Sequence, residues 1–189
     1  MLNISADEIK LGIHIAKTGN NASFVFKNVV QDNPGWQHFI DHINKEIHTP
    51  MDIPRNTHKP FNERIINGVT LKSLFYIDAR VRNMEKFPKY LEVFQTLKNS
   101  IEKDVYPVSV FVNFIANEYN IPKHSDKRET LFWQCIGKTF WHVYPPSSEF
   151  PVSYTLEPGD ILYVPKGVEH EVIIEEPRAS IAFGYENEI

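Results

Sequence analysis

The chain carries one cysteine in 189 residues, so it forms no internal disulfide and contains no paired-cysteine metal or redox motif. Cys135 sits in the apolar run Leu131–Ile136 and reads as a small buried hydrophobe. A lone thiol of this kind fits a reducing, cytoplasmic setting. The eight glycines form no P-loop, dinucleotide fingerprint or G-x-S-x-G elbow, which removes those phosphate-binding and hydrolase scaffolds. No apolar run approaches 18 residues, and no early segment joins basic residues to an apolar stretch and a cleavage site. Neither a membrane span nor secretion is expected. Positive charge is also in short supply. The net charge is -4 and the isoelectric point near 6.1, so nucleic acid is not an expected partner. What remains is an ordinary globular composition, 42% apolar and 23% charged, in a length that suits a single domain over 1–189.

The first part of that domain, 1–107, reads as mixed and helical. Asp32 and Asn33 precede Pro34, which suits an N-cap followed by a first-turn proline. Trp36, Phe39, Ile40, Ile43 and Ile47 then recur at helical spacing. Phe87, Tyr90, Leu91, Phe94, Leu97 and Ile101 form a second stripe, and both stripes suit core-facing surfaces. Val69–Ile77 reads as a strand and 49–67 as a loop. From Val108 the period changes to two. Val108, Val110, Val112 and Phe114 alternate with Ser109 and Asn113, and short strands follow at 131–136, 139–144, 152–156, 161–164, 168–174 and 178–185. Gly137, Pro145-Pro146, Pro158-Gly159 and Pro177 punctuate them. This predicts a mainly β (α+β) fold: a jelly-roll barrel over 108–189, with N-terminal helices packed on its outside.

Two segments carry the chemistry. His124-Ser125-Asp126 is followed at a distance by Pro158-Gly159-Asp160 and Pro165-Lys166-Gly167-Val168-Glu169-His170. Residues two apart on an extended strand share a face, so His124 and Asp126 project together while Ser125 turns away. His170 shares its face with Val168, Val172 and Ile174, an apolar side on which ring nitrogens need an internal partner or a metal. A hydrogen-bonded core histidine is the ordinary explanation of one such residue. Two histidines and one carboxylate in H-x-D…H order match the facial triad that holds non-haem iron(II). His14, His38, His42, His48, His58 and His142 lack the spacing of a second centre, and the His38/His42 pair suits an exposed helical face.

Gly159, Pro165, Gly167 and His170 fit the second cupin motif, G-x5-P-x-G-x2-H, with Ile174 where that motif ends in asparagine. Together with Val112-Asn-Phe-Ile-Ala, Phe132-Trp-Gln-Cys-Ile-Gly-Lys-Thr-Phe-Trp-His-Val-Tyr-Pro-Pro146 and Leu156-Glu-Pro-Gly-Asp-Ile-Leu-Tyr-Val-Pro165, the stretch from about Val108 to Tyr185 resembles the Jumonji-C and ribosomal-oxygenase branch of the cupin-fold 2-oxoglutarate-dependent oxygenases. The resemblance implies a double-stranded β-helix and a hydroxylase using Fe(II), 2-oxoglutarate as cosubstrate and O2. His124, Asp126 and His170 would hold the metal. The cosubstrate's remote carboxylate needs a cation with paired donors. The Jumonji-C pattern keeps a Lys or Arg two residues after the glycine, where this chain has Thr139. Lys138 is adjacent but points to the other side of the strand. Arg178-Ala-Ser180 resembles the R-x-S pattern of other 2-oxoglutarate oxygenases, which makes Arg178 and Ser180 the first candidates, with Thr139, Lys138 and Asn113 beside them. Two other readings stay open. A cupin isomerase or dioxygenase that does not use 2-oxoglutarate would leave Arg178 and Lys138 facing solvent. A non-catalytic cupin binding module would hold the triad too far apart to chelate. The resemblance favours a protein side chain as substrate while small molecules stay open, and both monomer and homodimer are compatible with the sequence.

Overall fold

A computed structural model describes residues 2–46, 76–79, 87–114 and 120–186. The expected loop at 49–67, Ile47 and all but the end of the expected 69–77 strand lie outside them. The chain order is α1 Ala6–Thr18, β1 Phe24–Phe26, α2 Trp36–Glu46, β2 Tyr76–Ala79, α3 Pro88–Ile101, β3 Tyr106–Asn113, β4 Ile121–Ser125, β5 Glu129–Ile136, β6 Thr139–Tyr144, β7 Val152–Leu156, β8 Ile161–Val164, β9 Glu169–Ile174 and β10 Arg178–Tyr185. The strands form a six-stranded sheet, β1-β8-β5-β10-β3-β2, and a four-stranded sheet, β4-β9-β6-β7. Pairing is antiparallel throughout.

Strands β5, β8 and β10 of the large sheet are buried on both faces, which is why they read as near-continuous apolar runs. Its inner face meets the small sheet. Phe111, Phe132, Leu162 and Ala182 pack there on Trp141, Val143, Leu156, Val172 and Ile174. Its outer face carries the helices: Val110, Trp133, Ile181 and Phe183 pack on Ile9, Ala16, Phe39, Tyr90 and Leu97. None of the described helices is long and apolar enough to cross a membrane.

Several local features differ from expectation. Helix α1 follows a capping box, in which the Glu8 amide donates to Ser5 Oγ and the Ser5 amide to the Glu8 carboxylate. Its buried face is the slim set Ile9, Gly12 and Ala16, too weak a stripe to stand out. Helix α2 begins at Trp36 rather than at Pro34. Asp32 is left-handed at φ 59, and Asn33 is diverted to accept a hydrogen bond from Trp133 Nε1 at 2.9 Å. On α2, Ile40 faces solvent instead of the core, because Phe39 and His42, three residues apart, take the packing side. His42 is fully buried, its ring 4.5 Å from that of Phe87, so the exposed-face expectation holds for His38 and not for His42.

The Pro158-Gly159 turn forms as its sequence requires. Gly159 has φ +97, and the Asp160 amide donates to Glu157 O at 3.0 Å. The turn also binds the N-terminal part to the barrel. The Val29 and Val30 amides donate to Gly159 O, and the buried Asp160 carboxylate accepts from the Asn28 amide and Lys27 Nζ.

Between α1 and the sheet lies a buried phenol pair. Tyr163 donates to Glu129, which also meets Lys17 Nζ at 3.0 Å, and Tyr185 donates to Tyr163 at 3.4 Å. Burial raises both phenols, Tyr185 up to about 12. Unfolded tyrosines ionise near pH ~10. Between there and about 12 the unfolded chain therefore binds fewer protons than the native one, and stability falls as pH rises. Urea unfolding across that window is expected to show a shallower decline for Tyr185→Phe than for the wild type; identical slopes would contradict the linkage.

Candidate metal centre

The pairing of β4 with β9 sets His124 directly opposite His170, and β6 sets Val143 on the other side of His170. His170 is 1% exposed. Its ring lies 4.3 Å from that of His124, stacks on Trp141 at 5.6 Å and meets Phe132 edge-on at 5.7 Å. Each histidine uses Nδ1 on the carbonyl two residues before it: His124 on Pro122 O at 2.8 Å, His170 on Val168 O at 3.1 Å. A carbonyl only accepts, so Nδ1 carries the proton and Nε2 the lone pair in each neutral ring. This is the backbone anchoring that orients imidazole ligands in metal sites.

Asp126 follows the end of β4. Its carbonyl accepts the Gly167 amide at 2.9 Å, and Gly167 sits at φ +81, a conformation that glycine adopts without penalty. The turn before β9 thereby fixes the aspartate beside the histidines. Asp126 Oδ2 lies 3.7 Å from His170 Nε2, and one ligand atom from each of the three residues falls within 4.8 Å of the others. Two lone-pair-bearing atoms that face each other in a half-buried site are stabilised by a cation between them, a proton or a metal. The donor set, two imidazole nitrogens and one carboxylate oxygen, is that of the 2-His-1-carboxylate iron site. Among the described residues, no other three His, Cys, Asp or Glu side chains come close enough to hold a metal. A cavity of about 550 Å³ opens beside the triad, walled by Phe111, Phe132, Thr130 and Ala182 and rimmed by Arg128 and Glu186.

The inner face of the large sheet leads down from that cavity. Ala182 pairs with Ser109 and Phe132, Ser180 with Phe111 and Gln134, and Arg178 with Asn113. Arg178 thus lies four residues, ~13 Å of strand, deeper than Ala182. An arginine after a Glu-Glu-Pro turn is ordinarily exposed, yet Arg178 is 1% exposed. Its Nε donates to Asn113 Oδ1 at 2.9 Å, its Nη1 to Ser180 Oγ, and its guanidinium lies over the Phe111 ring at 5.6 Å. Asn113 is fully buried, and its Nδ2 has no hydrogen-bond partner among the described residues. Thr139 is buried on the facing sheet, bonded to Gln134 and Trp141.

Lys138 is not brought to the site. Its ammonium pairs with Glu157 at 2.7 Å on the exposed side of the strand, which raises its pKa. Strand parity sends Thr139 inward and its neighbour outward. Gln134, Trp141 and Phe132 were not singled out in the sequence. Alternation in β6 marks the face of Trp141, whereas β5 is buried on both faces, so only the sheet-to-sheet packing places Phe132 and Gln134.

Manganese(II), followed by the resonance of the free ion, is expected to bind one equivalent to the wild-type protein. His170→Ala should weaken that binding by more than the roughly 10–100-fold that an outer hydrogen-bond partner is worth. Equal affinities would remove His170 from the centre.

Residues 89–188, more than half of the chain, match the JmjC domain family. Over 74 residues the chain is 31% identical to the bifunctional lysine-specific demethylase and histidyl-hydroxylase NO66 of Drosophila persimilis, an alignment covering 31% of this chain and 11% of that protein. Among solved structures it is similar to YcfD, a ribosomal oxygenase from Escherichia coli. The cobalt and succinic acid complex of YcfD matches with a TM-score of 0.64 and 16% identity, over 100% of this chain and 53% of that one. The cobalt and 2-oxoglutarate complex matches with a TM-score of 0.64 and 15% identity, over the same shares. The chain therefore spans about half the length of the solved structure whose fold it shares, and a small part of NO66. By the match over 89–188, this chain belongs to the JmjC domain family.

Proposed function

We propose that this protein is an Fe(II)- and 2-oxoglutarate-dependent oxygenase that hydroxylates a protein side chain. The observation that carries the reading is the placement of a fully buried arginine in the same barrel interior that holds the triad. His124, Asp126 and His170 would hold the iron, and their donor set leaves coordination positions for a 2-oxo acid and for oxygen. Iron bound there supplies activation of O2, so that 2-oxoglutarate, O2 and a substrate C–H yield succinate, CO2 and a C–OH.

The chain's own residues bind and orient. Arg178 is held by Asn113 and Ser180, which fixes the fork that meets the remote carboxylate. The buried Asn113 amide adds a second donor beside it. Phe111, Phe132 and Trp141 belong to the apolar packing between the two sheets, and apolar surroundings strengthen the charge pairing. A reading without 2-oxoglutarate requires Arg178 to face solvent, and a non-catalytic module requires the triad to be apart. The 1% exposure of Arg178 and the 4.8 Å cluster favour neither.

The choice of a protein substrate draws on the relatives, one named as a histidyl-hydroxylase and lysine demethylase, the other as a ribosomal oxygenase. A cavity that opens between Lys127, Arg128 and Glu186 can admit a side chain from outside. A single cysteine, with no internal disulfide to form, suits a cytoplasmic protein.

Arg178→Lys keeps the charge but loses the fork, and it is expected to raise the KM for 2-oxoglutarate by about tenfold or more, the ~1.4 kcal/mol scale of one charge-assisted hydrogen bond. Succinate release measured with saturating iron checks this, with Mn(II) affinity as the control for the metal site. An unchanged KM would take Arg178 out of the cosubstrate site.

A further inference from the structure

Thr139 stands where the Jumonji-C pattern keeps its cation, and its hydroxyl is already committed. Gln134 Nε2 lies 2.7 Å from Ile136 O and 3.0 Å from Gly137 O. Both are carbonyls that only accept, so this end of the amide is the NH2 and the other end is the oxygen. Thr139 Oγ1 is 3.1 Å from that oxygen and must donate its single proton to it. Trp141 Nε1, which only donates, is 3.0 Å from Thr139 Oγ1 and fills one of its lone pairs. A carboxylate offers only acceptors, so Thr139 has no proton left to give one.

The same bonds make a strut. Gln134 is fixed to the β5–β6 turn, Thr139 to Gln134, and the Trp141 indole to Thr139. The indole in turn stacks on His170 at 5.6 Å and 27°, and meets the tilted Phe132 ring at 4.7 Å. All four residues of the strut and its load are buried: Gln134 and Thr139 at 1%, Trp141 at 2%, His170 at 1%. We infer that Thr139 is a positioning residue of the metal centre, acting through Trp141 on the His170 ring, and not a contact of the cosubstrate. This rests on the oxygenase reading only for the identity of the ligand that Thr139 does not touch.

The test compares Thr139→Val, which keeps the shape and removes the hydroxyl, with Thr139→Ser, which restores it. Mn(II) affinity and the d–d spectrum of bound Co(II) report the metal centre. Calorimetric binding of 2-oxoglutarate at saturating Mn(II) reports the cosubstrate site, and a thermal melt reports folding. Thr139→Val is expected to weaken Mn(II) by about tenfold, the low end for an outer partner of a metal ligand, and to shift the Co(II) bands. Its 2-oxoglutarate affinity should stay within about twofold of the wild type, well under the tenfold that ~1.4 kcal/mol represents, and Thr139→Ser should behave as the wild type. A large loss of 2-oxoglutarate affinity with Mn(II) binding intact would overturn the inference, and so would the absence of any change in the metal readouts. Should Thr139→Val fail to fold, Trp141→Phe removes the same hydrogen bond from the other end and is read in the same way. A wild-type protein that binds Mn(II) but no 2-oxoglutarate would defeat the oxygenase reading, while the metal arm would still decide the strut.

Discussion

The cross-strand pairing of His124 with His170 is the constraint on which the rest of the site depends. A slip of one residue between β4 and β9 would turn the lysine or the serine beside His124 toward the metal position, because side chains alternate with a period of two. The register is held from two directions, and the rings are oriented by a third set of bonds. The apolar inner face of β9, Val172 and Ile174, must stay under the large sheet. The Gly167 amide clamps Asp126 O, and each imidazole is oriented by the carbonyl two residues before it. None of these ties is strong alone, about 0.5–1.5 kcal/mol net for a hydrogen bond. Together they hold three polar side chains at one point before any ion binds, which is the preorganisation a metal site requires.

The barrel interior is polar at two levels with an aromatic middle. The triad lies at the open mouth, Phe111, Phe132 and Trp141 below it, and Arg178 with Asn113 and Ser180 at the base. An isolated buried guanidinium is costly, and here the fixed acceptors of Asn113 and Ser180 and the Phe111 face offset part of that cost. Such a division matches a ligand charged at both ends. Apolar aromatic surroundings strengthen charge interactions beside them. The JmjC family assignment and this polarity are independent observations that point the same way.

Much of the fold is legible in the sequence because sheet periodicity is local. Strands 139–144, 152–156, 161–164 and 178–185 fall where alternation and turn residues put them, and the inward side of Arg178 follows from counting residues along β10. The elements that escaped are those with thin signals. β1 has three residues, and α1 buries a glycine and an alanine rather than a broad apolar stripe, although its Ser5–Glu8 capping box was in plain view. His42 was misplaced because a histidine on a short amphipathic helix can sit on either side, and only the arrival of Phe87 and Tyr90 decides it. The state of Thr139 lay beyond sequence reading altogether. Whether a buried hydroxyl has a proton to give depends on the orientation of the Gln134 amide, which is fixed by two backbone carbonyls of a turn.

The central claim, that the triad and the buried arginine serve one bound cosubstrate, is tested most directly by anaerobic titration of the protein with Fe(II) and then 2-oxoglutarate, followed by visible absorption. The account predicts that a metal-to-ligand charge-transfer band of a chelated 2-oxo acid grows with 2-oxoglutarate and saturates at one equivalent. No band, with iron bound, would contradict it.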